Sequence, residues 1–147
     1  MQNDILQIEE VLVNGVNFET DLDYGGEFGQ GIVRYDENGE EVLYTGLAYS
    51  LYENGNIETY FWIEDGVKEG ATVSFYKKGN IKSIGNMKKS SLYGNQYEYY
   101  ENGKIKREFE CVAGRVMRYI KFDEEGNVID EKDTPNESDI LYAQKFG

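Results

Sequence analysis

The alternation of apolar and polar positions is clearest between residues 46 and 105, where one phrase is spelled three times. It runs Gly46-Leu-Ala-Tyr-Ser-Leu-Tyr52-Glu-Asn-Gly55-Asn-Ile57, then Gly70-Ala-Thr-Val-Ser-Phe-Tyr76-Lys-Lys-Gly79-Asn-Ile81, then Gly94-Asn-Gln-Tyr-Glu-Tyr-Tyr100-Glu-Asn-Gly103-Lys-Ile105. Each copy begins 24 residues after the last. A fixed period of this size marks a repeat architecture whose small unit buries its apolar face only by stacking on its neighbours.

Within each copy an alternating run ends on an aromatic residue, breaks for three residues closing on Gly, and resumes from Ile. That pattern predicts a β-hairpin whose loop is a type I turn followed by a left-handed Gly. Asn54 and Asn102 are turn formers beside that Gly. The loop sets the register, so Tyr52 pairs with Asn56 and Leu51 with Ile57, then, counting by two, Tyr49 with Thr59 and Leu47 with Phe61. The same count pairs Phe75 with Ile81 and Tyr99 with Ile105. One face becomes an apolar stripe. The other carries Tyr52, Tyr76 and Tyr100 with Glu58, Tyr60, Trp62, Lys82 and Lys106.

Outside the three copies the phrase weakens. Gly29 to Gly39 is a fourth copy with one residue added to its loop and a short return strand over residues 40–45. Arg115 to Ile129 is a last copy that lacks the leading Gly. Ile63-Glu-Asp-Gly66-Val-Lys-Glu-Gly70, Met87 to Gly94 and Cys111 to Arg115 read as tight links between hairpins. At the N-terminal end, Asn14-Gly15 between apolar runs predicts a strand pair, residues 7–13 with 16–20. Glu19 to Glu27, acidic and Gly-rich, reads as a loop or irregular strand, and its spacing lacks the pattern of a calcium loop. The expected fold is all-β, an elongated, twisted antiparallel meander of hairpins in one domain over residues 1–129. A charged tail follows over 130–147, in which Ser138 to Lys145 fits a short helix.

Composition narrows the chemistry. The 147 residues include 17 Gly, 13 Tyr, one Pro, one Cys and no His. The missing His removes the commonest general base and metal ligand, and the single Cys111, read as a buried filler, allows no intrachain disulfide. No cofactor is expected. Carboxylate pairs such as Asp36-Glu37 and Glu64-Asp65 stand in turns, where solvated loops need them, so no catalytic group is indicated. Neither an 18-residue apolar run nor a leader-like start is present, and the expectation is a cytoplasmic protein.

Charge is blocked along the chain. The net charge is −13; residues 1–72 hold 16 acids and 2 bases, residues 73–121 hold 4 acids and 11 bases, and residues 122–147 hold 8 acids and 2 bases. An acidic end favours a basic partner.

The Gly, the six-residue step to an aromatic, the Glu-Asn-Gly-Lys/Asn-Ile phrase and the intervening Asp-Gly-Val-Lys-Glu-Gly together resemble the MORN repeat variant over residues 29–129. Such repeats occur in bacterial antitoxin and immunity proteins of polymorphic and contact-dependent toxin systems. The resemblance implies a small cytoplasmic protein, without catalysis of its own, that binds and neutralises a cognate toxin. A toxin with a basic active site, such as a nuclease, suits the acidic end. The residues expected to meet it are Asp21, Asp23, Glu27, Asp36, Glu37, Glu58 and Glu64 for charge, with Tyr60 and Trp62 for buried contact. Nucleic acid and membrane are not expected partners. The rival reading is a MORN-like scaffold for another protein, for nucleic acid or for an anionic membrane, drawn from Lys77, Lys78, Lys82, Lys88, Lys89, Lys104, Lys106 and Arg107 among tyrosines.

Overall fold

The structure is a computed structural model and describes residues 5–147. Residues 1–4, the start of the expected 1–129 domain, lie outside the described residues.

Along the chain the elements are α1 (Ile8–Asn14), β1 (Val16–Asn17), α2 (Phe18–Asp21), β2 (Asp23–Gly25), β3 (Gly31–Tyr35), β4 (Glu41–Leu43), β5 (Gly46–Leu51), β6 (Ile57–Glu64), β7 (Val67–Phe75) and β8 (Ile81–Lys88). They continue as β9 (Ser91–Leu92), β10 (Gly94–Tyr99), β11 (Ile105–Val112), β12 (Arg115–Phe122), β13 (Val128–Lys132) and α3 (Glu137–Phe146). The main sheet runs β1-β5-β6-β7-β8-β10-β11-β12-β13, with β9 paired to β8. Apart from the parallel contact of β1 with β5 it is the expected antiparallel meander. A separate sheet, β2-β3-β4, holds the fourth copy of the phrase, which explains its shortened step to the next copy.

The hairpin ends follow the sequence. Tyr52 N–H donates to Asn56 O at 2.8 Å, Gly55 N–H donates to Tyr52 O at 2.9 Å, and Gly55 has φ +88°. Leu51 pairs with Ile57, Phe75 with Ile81 and Tyr99 with Ile105. One residue further the register slips, because each return strand holds a bulge at the residue after Ile: Glu58, Lys82 and Lys106, and Ile129 after Val128 in the last copy. Tyr49 therefore pairs with Tyr60 and Leu47 with Trp62, not with Thr59 and Phe61 as period-two counting expects. A bulge places two residues opposite one and exchanges the faces beyond it.

Two packed clusters lie on opposite faces of the first hairpins. On one face Leu47, Ile57, Tyr60, Val73 and Phe75 surround Val11 of α1. On the other, Ala48, Phe61 and Ile63 meet Leu22, Ile32 and Tyr44 from the small sheet and its approach. The strand pair expected over residues 7–20 is thus corrected: 8–14 form a helix. Gln7 and Glu10 make a reciprocal capping box, Gly15 N–H closes the far end on Val11 O at 2.8 Å, and Ile8, Val11 and Leu12 have helical spacing. Asn14-Gly15 is a helix end here, because burying Val11 on the sheet outweighs local hairpin preference.

The segment expected to be a charged tail is structured as well. β13 pairs with β12 as far as Lys132, and α3 docks beside the β11–β12 turn through Tyr142, whose hydroxyl donates to Ala113 O at 2.7 Å.

Candidate protein-binding surface

The acidic residues belong to three different settings. Asp21 ends α2 and accepts the Asn17 N–H at 3.1 Å, while Asn17 accepts the Glu19 N–H at 3.0 Å, so this carboxylate is partly used in holding its own turn. Asp23 lies on β2 and Glu27 in the following turn. Asp36 and Glu37 occupy the β3–β4 turn, where Asp36 accepts the N–H groups of Asn38 at 2.8 Å and Glu40 at 3.0 Å. Asp23, Glu27, Asp36 and Glu37 are exposed and belong to one structural unit, the small sheet.

Glu58 stands apart on β6, at the bulge of the first repeat, and lines a cleft with Tyr52, Tyr76 and Lys82. Glu64 is exposed near the β6–β7 turn. Trp62 is 40% exposed but pairs with Leu47, which puts it on the α1 face and away from the small sheet. Tyr60 is the clear correction. It is 1% exposed in the core, its hydroxyl accepts the Leu6 N–H at 3.0 Å, and burial first of all pushes its phenol pKa above the ordinary value. The bulge at Glu58 turned it inward, so it offers no contact to a partner.

Sequence reasoning missed the aromatic residues of the small sheet. Tyr24 is 55%, Phe28 82% and Tyr35 51% exposed, with Val42 and Leu43 exposed on β4. Their signal was available in the sequence: Tyr24, Phe28 and Tyr35 fall between Asp21 and Glu37, and Arg34 is the only base before Lys68. Register brings some of these groups close. Asp23 pairs with Val33, and Tyr35 pairs with Glu41. Desolvation, and after it the fields of Asp23 and Glu41, push the Tyr35 phenol above its ordinary pKa. Glu41 in turn accepts the Gly26 N–H at 2.9 Å, fixing the turn that leads to Phe28.

This sheet is anchored to the repeats at one turn. Ile32 N–H donates to Gly66 O, and Gly66 N–H donates to Tyr44 O, both at 2.9 Å. Gly66 has φ +79°, and a Cβ there would lie 3.1 Å from both the backbone N and O of Ile32, so the close approach requires Gly. Asp65 N–H also donates to Thr45 Oγ1 at 2.8 Å. The acidic, aromatic surface is therefore held on the repeat array by these hydrogen bonds together with the packing of Ile32 and Tyr44 against Ala48, Phe61 and Ile63.

Among the described residues no group of three or more Cys, Asp or Glu converges as metal ligands would. No helix among the described residues is long and apolar enough to cross a membrane.

The family model of the MORN repeat variant matches residues 68–89 and 92–110. These segments correspond to β7–β8 and to β10–β11 with their turns, and they are repeats of this type. No curated protein matches the chain. The acidic sheet lies wholly outside the matched segments.

Proposed function

We propose that this chain is a binding protein without catalysis of its own, and specifically an immunity protein or antitoxin that docks its acidic small sheet onto the basic active site of a cognate toxin. One observation supports this reading above the others: Tyr24, Phe28 and Tyr35 are exposed among Asp23, Glu27, Asp36 and Glu37 on a unit added to the repeats. Exposed aromatics supply buried contact when a partner arrives, and the surrounding carboxylates steer a basic partner towards them. Inhibition by occlusion needs no reactive group. The MORN-type repeats then serve as the rigid support, in keeping with the general binding role of such repeats.

The test is titration of the purified chain against the product of the gene adjacent to its own, at low and at high salt. A one-to-one complex that silences a toxic activity, weakens with salt and is lost in the Asp23→Lys, Glu27→Lys, Asp36→Lys variant supports the proposal. Unchanged affinity in that variant, with its fold intact by circular dichroism, removes the acidic sheet from the interface. Absence of any inhibited activity returns the chain to the rival reading of a general scaffold.

A further inference from the structure

The bulges that upset the expected register also create a second surface. Each return strand turns one extra residue out just past its hairpin turn: Glu58, Lys82 and Lys106 in the copies that carry Tyr52, Tyr76 and Tyr100, and Ile129 in the last copy, where Asp123 stands in place of the tyrosine. Tyr52, Tyr76 and Tyr100 are locked in place by the next repeat, their hydroxyls donating to Phe75 O at 2.6 Å, Tyr99 O at 2.6 Å and Phe122 O at 2.7 Å. Lys82 lies over the Tyr76 ring at 5.7 Å and Lys106 over the Tyr100 ring at 5.7 Å. Neither lysine makes an ion pair among the described residues, whereas the neighbouring Glu98 is taken by Arg107 at 3.1 and 3.3 Å. The cleft between them is about 290 Å³, and Thr59, Ser74 and Ser83 are among the residues that line it.

The geometry points to this strip as a docking site for a protein segment in the polyproline II conformation laid across the strands, with a basic, an acidic, a second acidic and an apolar side chain at every third residue. Consecutive bulge residues are two strands apart, about 10 Å, and a polyproline II segment returns every third residue to the same side after about 9.3 Å, so spacing and facing match at three residues. Charge complementarity sets the order: Glu58 calls for a base, Lys82 and Lys106 for acids, Ile129 for an apolar group. Thr59 and Ser74 already donate to Val73 O and to Thr59 Oγ1, so towards such a segment their hydroxyl oxygens serve as acceptors for its N–H groups. A uniform polyanion fits less well, because Glu58 faces the same cleft and the chain carries −13 overall. This surface is separate from the acidic sheet, so its failure leaves the toxin-binding proposal untouched.

The test is fluorescence anisotropy of the full chain with a labelled peptide, Lys-Gly-Gly-Asp-Gly-Gly-Asp-Gly-Gly-Leu. Saturable binding is expected, weakened about fivefold by Lys106→Glu and restored when the second Asp of the peptide is replaced by Lys, since exposed ion pairs are worth up to about 1 kcal/mol. Both lysines are exposed, and circular dichroism confirms that the variant folds. Equal binding of a peptide with the same residues in scrambled order overturns the proposal. So does retention of oligothymidylate or phosphatidylserine vesicles, dependent on Lys82 and Lys106, without binding of the peptide.

Discussion

The first and second halves of the main sheet are built from the same hairpin and end in different environments. One row of paired residues on a single face crosses eight strands as Tyr49, Tyr60, Val73, Ile84, Tyr97, Glu108, Ile120 and Glu131. Its first members belong to or pack against the cluster around α1; Tyr97, Glu108 and Ile120 line an open cleft with Asn95, Glu110 and Arg118. The opposite face changes in parallel, from Ser50, Thr59, Ser74 and Ser83 to Glu98, Arg107, Lys121 and Asp130. A repeat therefore has no fixed core. Where the N-terminal segment supplies cover, this row is apolar; where it stops, Glu108 and Glu131 enter the row and cross-strand pairs such as Glu98–Arg107 and Glu110–Arg118 appear, while Phe109, Cys111 and Met117 keep a smaller buried group.

The sharpest way to break this comparison is to truncate two residues of that row. Tyr60→Ala should lower stability by about 3 to 5 kcal/mol, the range for large buried aromatics, whereas Tyr97→Ala should cost about 1 kcal/mol or less. Urea unfolding of both variants checks it. Similar losses would mean that the open half is as tightly packed as the covered one.

The tyrosine ladder is common to both halves, and its removal should be felt alike in each. Tyr76→Phe deletes one inter-repeat hydrogen bond and should cost about 1 kcal/mol, with Tyr100→Phe close to it. At the two outlying copies Asp replaces this tyrosine, and Asp36 and Asp123 satisfy their own loops instead, Asp123 accepting the N–H groups of Glu125 at 3.0 Å and Asn127 at 2.9 Å. Tyrosine at this position thus accompanies a following repeat in the same sheet; aspartate accompanies an end. Denaturation midpoints that move for one tyrosine only would divide the ladder.

Acid should distinguish the cover at the far end from the rest. Asp139 is 2% exposed, and Lys132 first, then the Asn136 N–H and Arg115, hold its carboxyl at a pKa of about 2, against an ordinary 3.8. A depressed folded pKa contributes stability that is complete above the ordinary value and is lost as pH falls through the folded one. Docking of α3 should therefore weaken between pH 4 and 2. Hydrogen exchange read residue by residue should show α3 opening before β5–β7 in that window, and Asp139→Asn should remove the pH dependence, with α3 opening early at neutral pH as well.

The smallest effect concerns the links between hairpins. Ala113 has φ +48° beside Gly114, the left-handed geometry of a two-residue hairpin turn. Ala113→Gly should raise stability by roughly 0.5 kcal/mol, the relief of strain exceeding the entropy lost by the unfolded chain. Thermal unfolding measures the sign.

Much of the array was legible in the residues themselves. The 24-residue period, the loops closing on Gly55, Gly79 and Gly103, and the first pair beyond each turn are local properties, set by turn chemistry over a few residues. Two things were not local. Glu58 has no residue type that announces a bulge; its extra position exists because the next strand and the packed face demand it, and it moved Tyr60 from an expected contact to the core. Residues 8–14 are apolar enough for either strand or helix, and only the groove over Leu47, Tyr60 and Val73 selected the helix by burying Val11. The acidic surface followed the same division: its charge was visible in the chain, while its position was decided by the packing of Leu22, Ile32 and Tyr44 on the main sheet.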